Sequence, residues 1–181
     1  MASKNKNNIS PKSDVVLRTI YEWGYMETKE ISWEEFQTLA KGLVKKIEKN
    51  YYDWSKYGIL GISRGGLPLL TFVANQLGVH DVYTAKVQAT NSDKAGDLSK
   101  ETQVLHADLG DKQRFIVLDD VISTGKSISR LFTYMLKRNC NLEKAFCLYG
   151  DEDVERQTGV EIETEKWKKR DEWTIFPWEK K

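Results

Sequence analysis

Residues 115–127 read FIVLDDVISTGKS. Four consecutive apolar residues run into two adjacent aspartates, Asp119 and Asp120, and a hydroxyl-rich glycine turn follows at once. A short apolar run bounded by turn residues reads as a strand. Thr124-Gly125-Lys126-Ser127 then opens a helix over 126–138, with Ile128, Leu131, Phe132 and Met135 on one face. The same alternation recurs along the chain. YGILGIS (57–63) is a strand that ends in Arg64-Gly65-Gly66. Pro68 suits the first turn of the helix that follows, and Gly78 stops it. VYTAKV (82–87) and AFCLYG (145–150) are further strands. Strands alternating with helices predict an α/β fold, a mainly parallel sheet flanked by helices.

The rest of the chain is less regular. Residues 1–30 read as an N-terminal extension, and its first part, MASKNKNNISPKS, is a polar leader expected to be disordered because it has almost nothing to bury. Val15, Val16, Leu17, Ile20 and Tyr21 would suit a short helix, but Gly24 interrupts it. Ser32 and Glu35 form a capping box ahead of an amphipathic helix over 32–49, carried by Trp33, Phe36, Leu39, Leu43, Val44 and Ile47. Residues 88–112 are polar with few apolar anchors. A loop that long inside a domain points to a functional or mobile segment. VEIET (160–164) and WTIFPWE (173–179) close the chain. One domain, 31–181, accounts for all of this, and 181 residues suffice to bury a core.

Bulk properties exclude several functions. With 28 basic and 27 acidic residues the formal charge is +1, which is not the footprint of a nucleic-acid binder. No apolar run reaches the ~20 residues of a membrane helix, and the leader lacks the apolar centre of a signal peptide. A cytoplasmic protein is expected. Cys140 and Cys147 have no metal spacing and read as reduced thiols, Cys147 in the core.

In an open α/β sheet, ligands sit beyond the carboxyl ends of the strands. Three such ends are unusual here: SRGG, DDVISTGKS and GDED. The helix opening at 124–127 presents unpartnered N–H groups and the positive end of a dipole, so a phosphate fits it. It is not a P-loop, which would need glycine where Asp120 stands. Two adjacent carboxylates repel each other and cost desolvation. A ribose 5-phosphate satisfies both features, offering diol hydroxyls to Asp119 and Asp120 and a phosphate to 123–127. Magnesium would relieve the remaining charge. The bland alternative for the turn is an ordinary helix cap.

FIVLDDVISTGKS resembles the signature of the type I phosphoribosyltransferases. GISRGG, the helix ISWEEFQTLAKGLVKKI and the tail WTIFPWE resemble features of their xanthine–guanine/hypoxanthine branch and its archaeal relatives, in the same order. The resemblance implies a phosphoribosyltransferase fold with a mobile hood at 88–112 and a short C-terminal base-binding segment. It implies transfer from 5-phosphoribosyl diphosphate (PRPP) to a nucleobase, a purine by the branch resembled, with magnesium as cofactor. By that likeness Asp119 and Asp120 hold the ribose hydroxyls and Asp120 contacts the metal. Ser123, Thr124, Gly125, Lys126 and Ser127 grip the 5-phosphate. Arg64, Gly65 and Lys86 hold pyrophosphate, while Trp173 and Thr174 meet the base. A homodimer or homotetramer is also implied. Two positions depart from the pattern: Ser123 stands where those enzymes carry an aspartate, and Asp151 where they carry a lysine beside the 6-oxo group. Asp151 is therefore expected to face the base and favour one presenting a hydrogen-bond donor. A PRPP- or nucleotide-sensing regulator with little catalysis is the alternative from another class. His80 and His106 have no partner by spacing and read as structural or solvated. Trp33 and Trp54 read as core or interface, Trp178 as a packing residue, and KWKKRDE (166–172) as a solvated charged run.

Overall fold

The computed structural model describes residues 27–89, 102–151, 154, 158–169 and 172–179. In chain order the elements are β1 (Glu27–Glu30), α1 (Trp33–Asn50), β2 (Gly58–Ser63), α2 (Gly66–Leu77), β3 (Val82–Ala89), β4 (Thr102–Ala107), β5 (Arg114–Ile122), α3 (Lys126–Leu136), β6 (Asn141–Asp151), β7 (Ile162–Lys168), β8 (Glu172–Ile175) and a final 3-10 turn, Pro177–Glu179.

A six-stranded sheet runs in the order β4-β3-β2-β5-β6-β7. All its pairings are parallel except β3 with β4. β2 leads through α2 to β3 on one side, and β5 leads through α3 to β6 on the other. The strand order thus reverses between β2 and β5, and a crevice opens at their carboxyl ends. The expected α/β architecture is the one observed.

Alternation along β5 builds both cores. Ile116 and Leu118 pack with α1 and α2, which contribute Phe36, Leu43, Ile47, Leu69 and Val73. Phe115 and Val117 pack on the opposite face with Ile128, Leu131 and Met135 of α3. Successive strand side chains point to opposite faces, so a strand covered on both sides must be apolar throughout. That is why FIVL is unbroken. Both cysteines are buried and free.

The α1 cap forms by half. Ser32 Oγ accepts from the Glu35 amide at 3.1 Å. The Glu35 carboxylate does not return the bond expected of a capping box. It accepts from Tyr149 Oη at 3.0 Å and from Lys166 Nζ at 3.1 Å, and pairs with Lys29. This ties α1 to β6, β7 and β1. Burial first, then the hydrogen bond to Glu35, pushes the Tyr149 phenol up to about 12. At the far end of α2, Gly78 takes a left-handed φ of 64° and its N–H closes the helix, as its sequence position predicts.

Several expectations are corrected. Residues 88–112 are not one loop: β3 extends to Ala89, and Thr102–Ala107 is an antiparallel edge strand. Only 90–101 of the predicted hood, together with the proposed helix near residues 15–21, lies outside the described residues. β6 begins at Asn141, earlier than expected, and α3 ends at Leu136. KWKKRDE is not wholly solvated, because β7 runs to Lys168 and buries it. Trp178 does pack, stacking on Phe176 at 4.8 Å. Trp33 lies beside it but is 57% exposed, whereas Trp54 is half-buried against the core. β8 pairs in parallel with β1, and this separate two-stranded unit carries the tail. Among the described residues no helix is long and apolar enough to cross a membrane.

Candidate active site

A cavity of about 310 Å³ opens where β5 gives way to α3. Its floor is Asp119 to Ile122, one wall is the turn Ser123 to Ser127, and the facing wall is Lys168, Glu172, Trp173, Thr174, Phe176 and Glu179. Residues from the central motif and from the tail, distant in sequence, meet here because β1 holds β8 alongside the sheet.

The two aspartates sit half-buried at the end of β5. Asp119 Oδ1 accepts from the Asp120 amide at 3.1 Å, and Asp120 Oδ1 from the Val121 amide at 2.8 Å. Burial and then the neighbouring Asp120 charge hold the Asp119 carboxyl well above the usual carboxylate range. Burial pushes Asp120 up to about 6, and the Glu179 charge adds to it. A carboxylate pair in this state lowers its energy by meeting hydroxyl donors or a cation.

The turn is built for close approach. Gly125 has φ of 66° and caps α3, whose first intrahelical bond runs from Ser129 N to Gly125 O at 2.9 Å. A Cβ on Gly125 would overlap the Thr158 methyl, so the backbone geometry there requires glycine. Ser123, Thr124 and Ser127, all bearing hydroxyls, line the cavity with Gly125 and Lys126, and the Lys126 amide donates to Thr124 Oγ1 at 3.5 Å.

Arg64, Gly65 and Lys86 do not line this cavity. Of the three, Gly65 is the one that borders the acidic pair. A Cβ on Gly65 would overlap the Asp120 carboxylate, so the turn after β2 lies directly against the acidic pair. The Ser63–Arg64 peptide is cis. Lys86 is exposed on β3, and its register partner is Ser63, the residue before Arg64.

The base-side expectation for Asp151 fails. Asp151 is 5% exposed and is not in the cavity wall. It stands beside Lys168 in the β6–β7 register, and the two side chains pair at 2.9 Å. Lys168 Nζ also donates to the Glu172 carbonyl at 3.1 Å and the Lys169 carbonyl at 3.4 Å. The ammonium thus hydrogen-bonds two carbonyls and faces the carboxylate as an ion pair. A buried carboxylate is answered by the nearest cation, so Asp151 serves the fold of the wall and not the ligand. Trp173, 41% exposed, and Thr174, buried, do line the cavity.

Lys168, Glu172 and Glu179 were missed from sequence. For Lys168 a signal existed. Ile162 and Thr164 are buried two apart on β7, and Lys168 resumes that spacing after Lys166, which is exposed and pairs with Glu35 of α1. Among the described residues no group of three or more His, Cys, Asp or Glu could hold a metal by protein ligands alone.

A family model described as phosphoribosyl transferase domain matches residues 32–179. The fold is similar to the purine phosphoribosyltransferase of Pyrococcus horikoshii, with 23% identity and a TM-score of 0.66 over 86% of this chain and 95% of that one. It is similar to a hypothetical protein from Neisseria gonorrhoeae with bound ppGpp (16%, TM-score 0.70, 86% and 91%). It is also similar to the xanthine-guanine-hypoxanthine phosphoribosyltransferase of Helicobacter pylori (16%, TM-score 0.61, 84% and 94%).

Proposed function

The chain belongs to the phosphoribosyl transferase domain family, and on that premise we propose that it is a magnesium-dependent enzyme joining a nucleobase, a purine in our reading, to the 5-phosphoribosyl group of PRPP with release of pyrophosphate. The observation that carries this is the single cavity in which Asp119, Asp120, the 123–127 turn and Trp173 meet.

Each part has a task set by its chemistry. Asp119 and Asp120 accept hydrogen bonds from the two ribose hydroxyls, which fixes the sugar over the strand end. The backbone N–H groups and hydroxyls of Ser123, Thr124, Lys126 and Ser127 bind the 5-phosphate at the start of α3. Arg64 and the Gly65 backbone, with Lys86 beside them, take the pyrophosphate. Trp173 offers an aromatic face to the base. The C1–O bond to pyrophosphate breaks as the bond to the base nitrogen forms, through a sugar with oxocarbenium character. Donors held in place around the departing charge lower that barrier. Ser123 is neutral, so the proton leaving the base is not taken by a carboxylate at that position.

The residues fit magnesium. Two adjacent half-buried carboxylates whose proton affinity is raised by burial, with the Asp120 charge adding to it at Asp119 and the Glu179 charge at Asp120, favour a cation. Among the described residues no third His, Cys, Asp or Glu groups with them to complete a protein cage, which matches an ion that takes most of its oxygens from substrate and water. Asp120 is the proposed protein contact. The bound ion would neutralise charge on the pyrophosphate.

A second reading is favoured by Ser123: a regulator of the same fold that senses PRPP or a nucleotide without efficient turnover. Pyrophosphate release measured with PRPP, magnesium and, separately, adenine, guanine, hypoxanthine, xanthine and the common pyrimidines tests both. Release with at least one purine is expected. Binding of PRPP without release from any base would favour the regulator.

A further inference from the structure

We infer that His106 is an additional donor for the pyrophosphate end of the substrate, completing a row with Arg64 and Lys86; this rests on the phosphoribosyl transfer proposed above. The sequence offers no partner for His106. The sheet register supplies one. Lys86 of β3 is paired on one side with Ser63 of β2 and on the other with His106 of β4. Directly opposed residues on neighbouring strands share a face of the sheet, with Cβ atoms about 4.5–5.5 Å apart.

The shared face results from an irregularity. Ala85 pairs with Ala107 and Lys86 with His106, but Val87 pairs with Val104, so Leu105 is an extra residue in β4. Val87, Val104 and Ala107 pack toward the α3 side. In a regular strand His106 would share the face of Val104 and point the same way. The bulge turns it over. A bulge of this kind re-aims a side chain next to a site.

The face to which it turns is the one that carries the pyrophosphate turn. Ile59, Gly61 and Ser63 alternate onto the α2 side of β2: Ile59 packs there, and a Cβ on Gly61 would meet Leu70 of α2. Lys86 and His106 continue that row outward, level with Ser63, the last residue of β2 and the one before Arg64. Both side chains are exposed. An imidazole N–H is available as a donor in either neutral tautomer. Nothing in the cores uses His106, and an ammonium facing an imidazole across two strands gains nothing from its neighbour until an anion lies between them. A diphosphate is the anion of the right length and charge to span such a row.

The test is calorimetric titration of magnesium–PRPP, magnesium pyrophosphate and GMP into wild type, His106→Ala, His106→Gln and, as a control, His80→Ala, which removes another exposed histidine. His106→Ala should weaken PRPP and pyrophosphate by about tenfold, the worth of a hydrogen bond to a charged group, and leave GMP unchanged. His106→Gln, which keeps an N–H donor, should recover part of the loss, and His80→Ala should match wild type. Unchanged PRPP and pyrophosphate affinity in His106→Ala overturns the inference alone. Equal weakening of GMP overturns it as well, by showing general damage. A wild-type protein that binds none of the three overturns the transferase reading and this inference with it.

Discussion

Lys168→Met removes one partner of a pair whose side chains are 4% and 7% exposed. The methionine fills nearly the same space, so the effect is electrostatic. Asp151 keeps its place among buried groups, and neither of its carboxylate oxygens has a hydrogen-bond partner, so the ion pair with Lys168 is what answers its charge. Breaking a buried pair by deleting one partner costs about 3–5 kcal/mol. At about 2–4 °C per kcal/mol for a chain of this size, Tm should fall by roughly 6–20 °C. The same substitution frees the Glu172 carbonyl, and with it the turn that presents Trp173. The KM for the base should therefore rise well below the melting range while the KM for PRPP stays. Asp151→Leu added to Lys168→Met should restore most of the stability, because an apolar replacement of the whole pair leaves no buried charge. Thermal unfolding followed by circular dichroism on the two single variants and the double variant completes the cycle. A Lys168→Met protein melting within about 2 °C of wild type would behave like a surface substitution and refute the buried pair. So would a double variant as unstable as the sum of the singles.

Three other outcomes follow from the site. Asp120→Asn should lower turnover and PRPP affinity while leaving Tm equal or higher, since it relieves repulsion within the acidic pair; full activity with a much lower Tm would make the pair structural. Gly125→Ala must place a side chain at φ of 66° and against Thr158, so urea unfolding should show a loss of more than about 1 kcal/mol, and an unchanged midpoint would contradict the turn geometry. Cys147 is fully buried and burial pushes its thiol up to about 12, so at pH 8 a thiol reagent should label it only as fast as the protein unfolds; rapid labelling in the native state would contradict its buried place on β6, beside Asp119 in the register.

The central strand, its acidic end, the glycine turn and the three helices were legible along the chain. Each is a local matter. Capping by Ser32, closure at Gly78 and the positive φ at Gly125 depend on neighbours within one or two turns of chain. The unbroken FIVL run carries the signature of a strand covered on both faces. Whatever depends on register was not legible there. Asp151 looked like a reader of the base because its strand end was visible and its partner was not; Lys168 reaches it only across β6 and β7. Lys168 itself was hidden in a run of charges, where composition predicts solvent and alternation predicts burial. The edge strand Thr102–Ala107 was lost for a related reason: an antiparallel edge covered on one side needs little apolar surface, so its sequence resembles a loop. The face on which His106 lies turns on one extra residue at Leu105. A one-residue change of register moves every side chain beyond it to the opposite face, and only the pairing of distant strands fixes where that change falls.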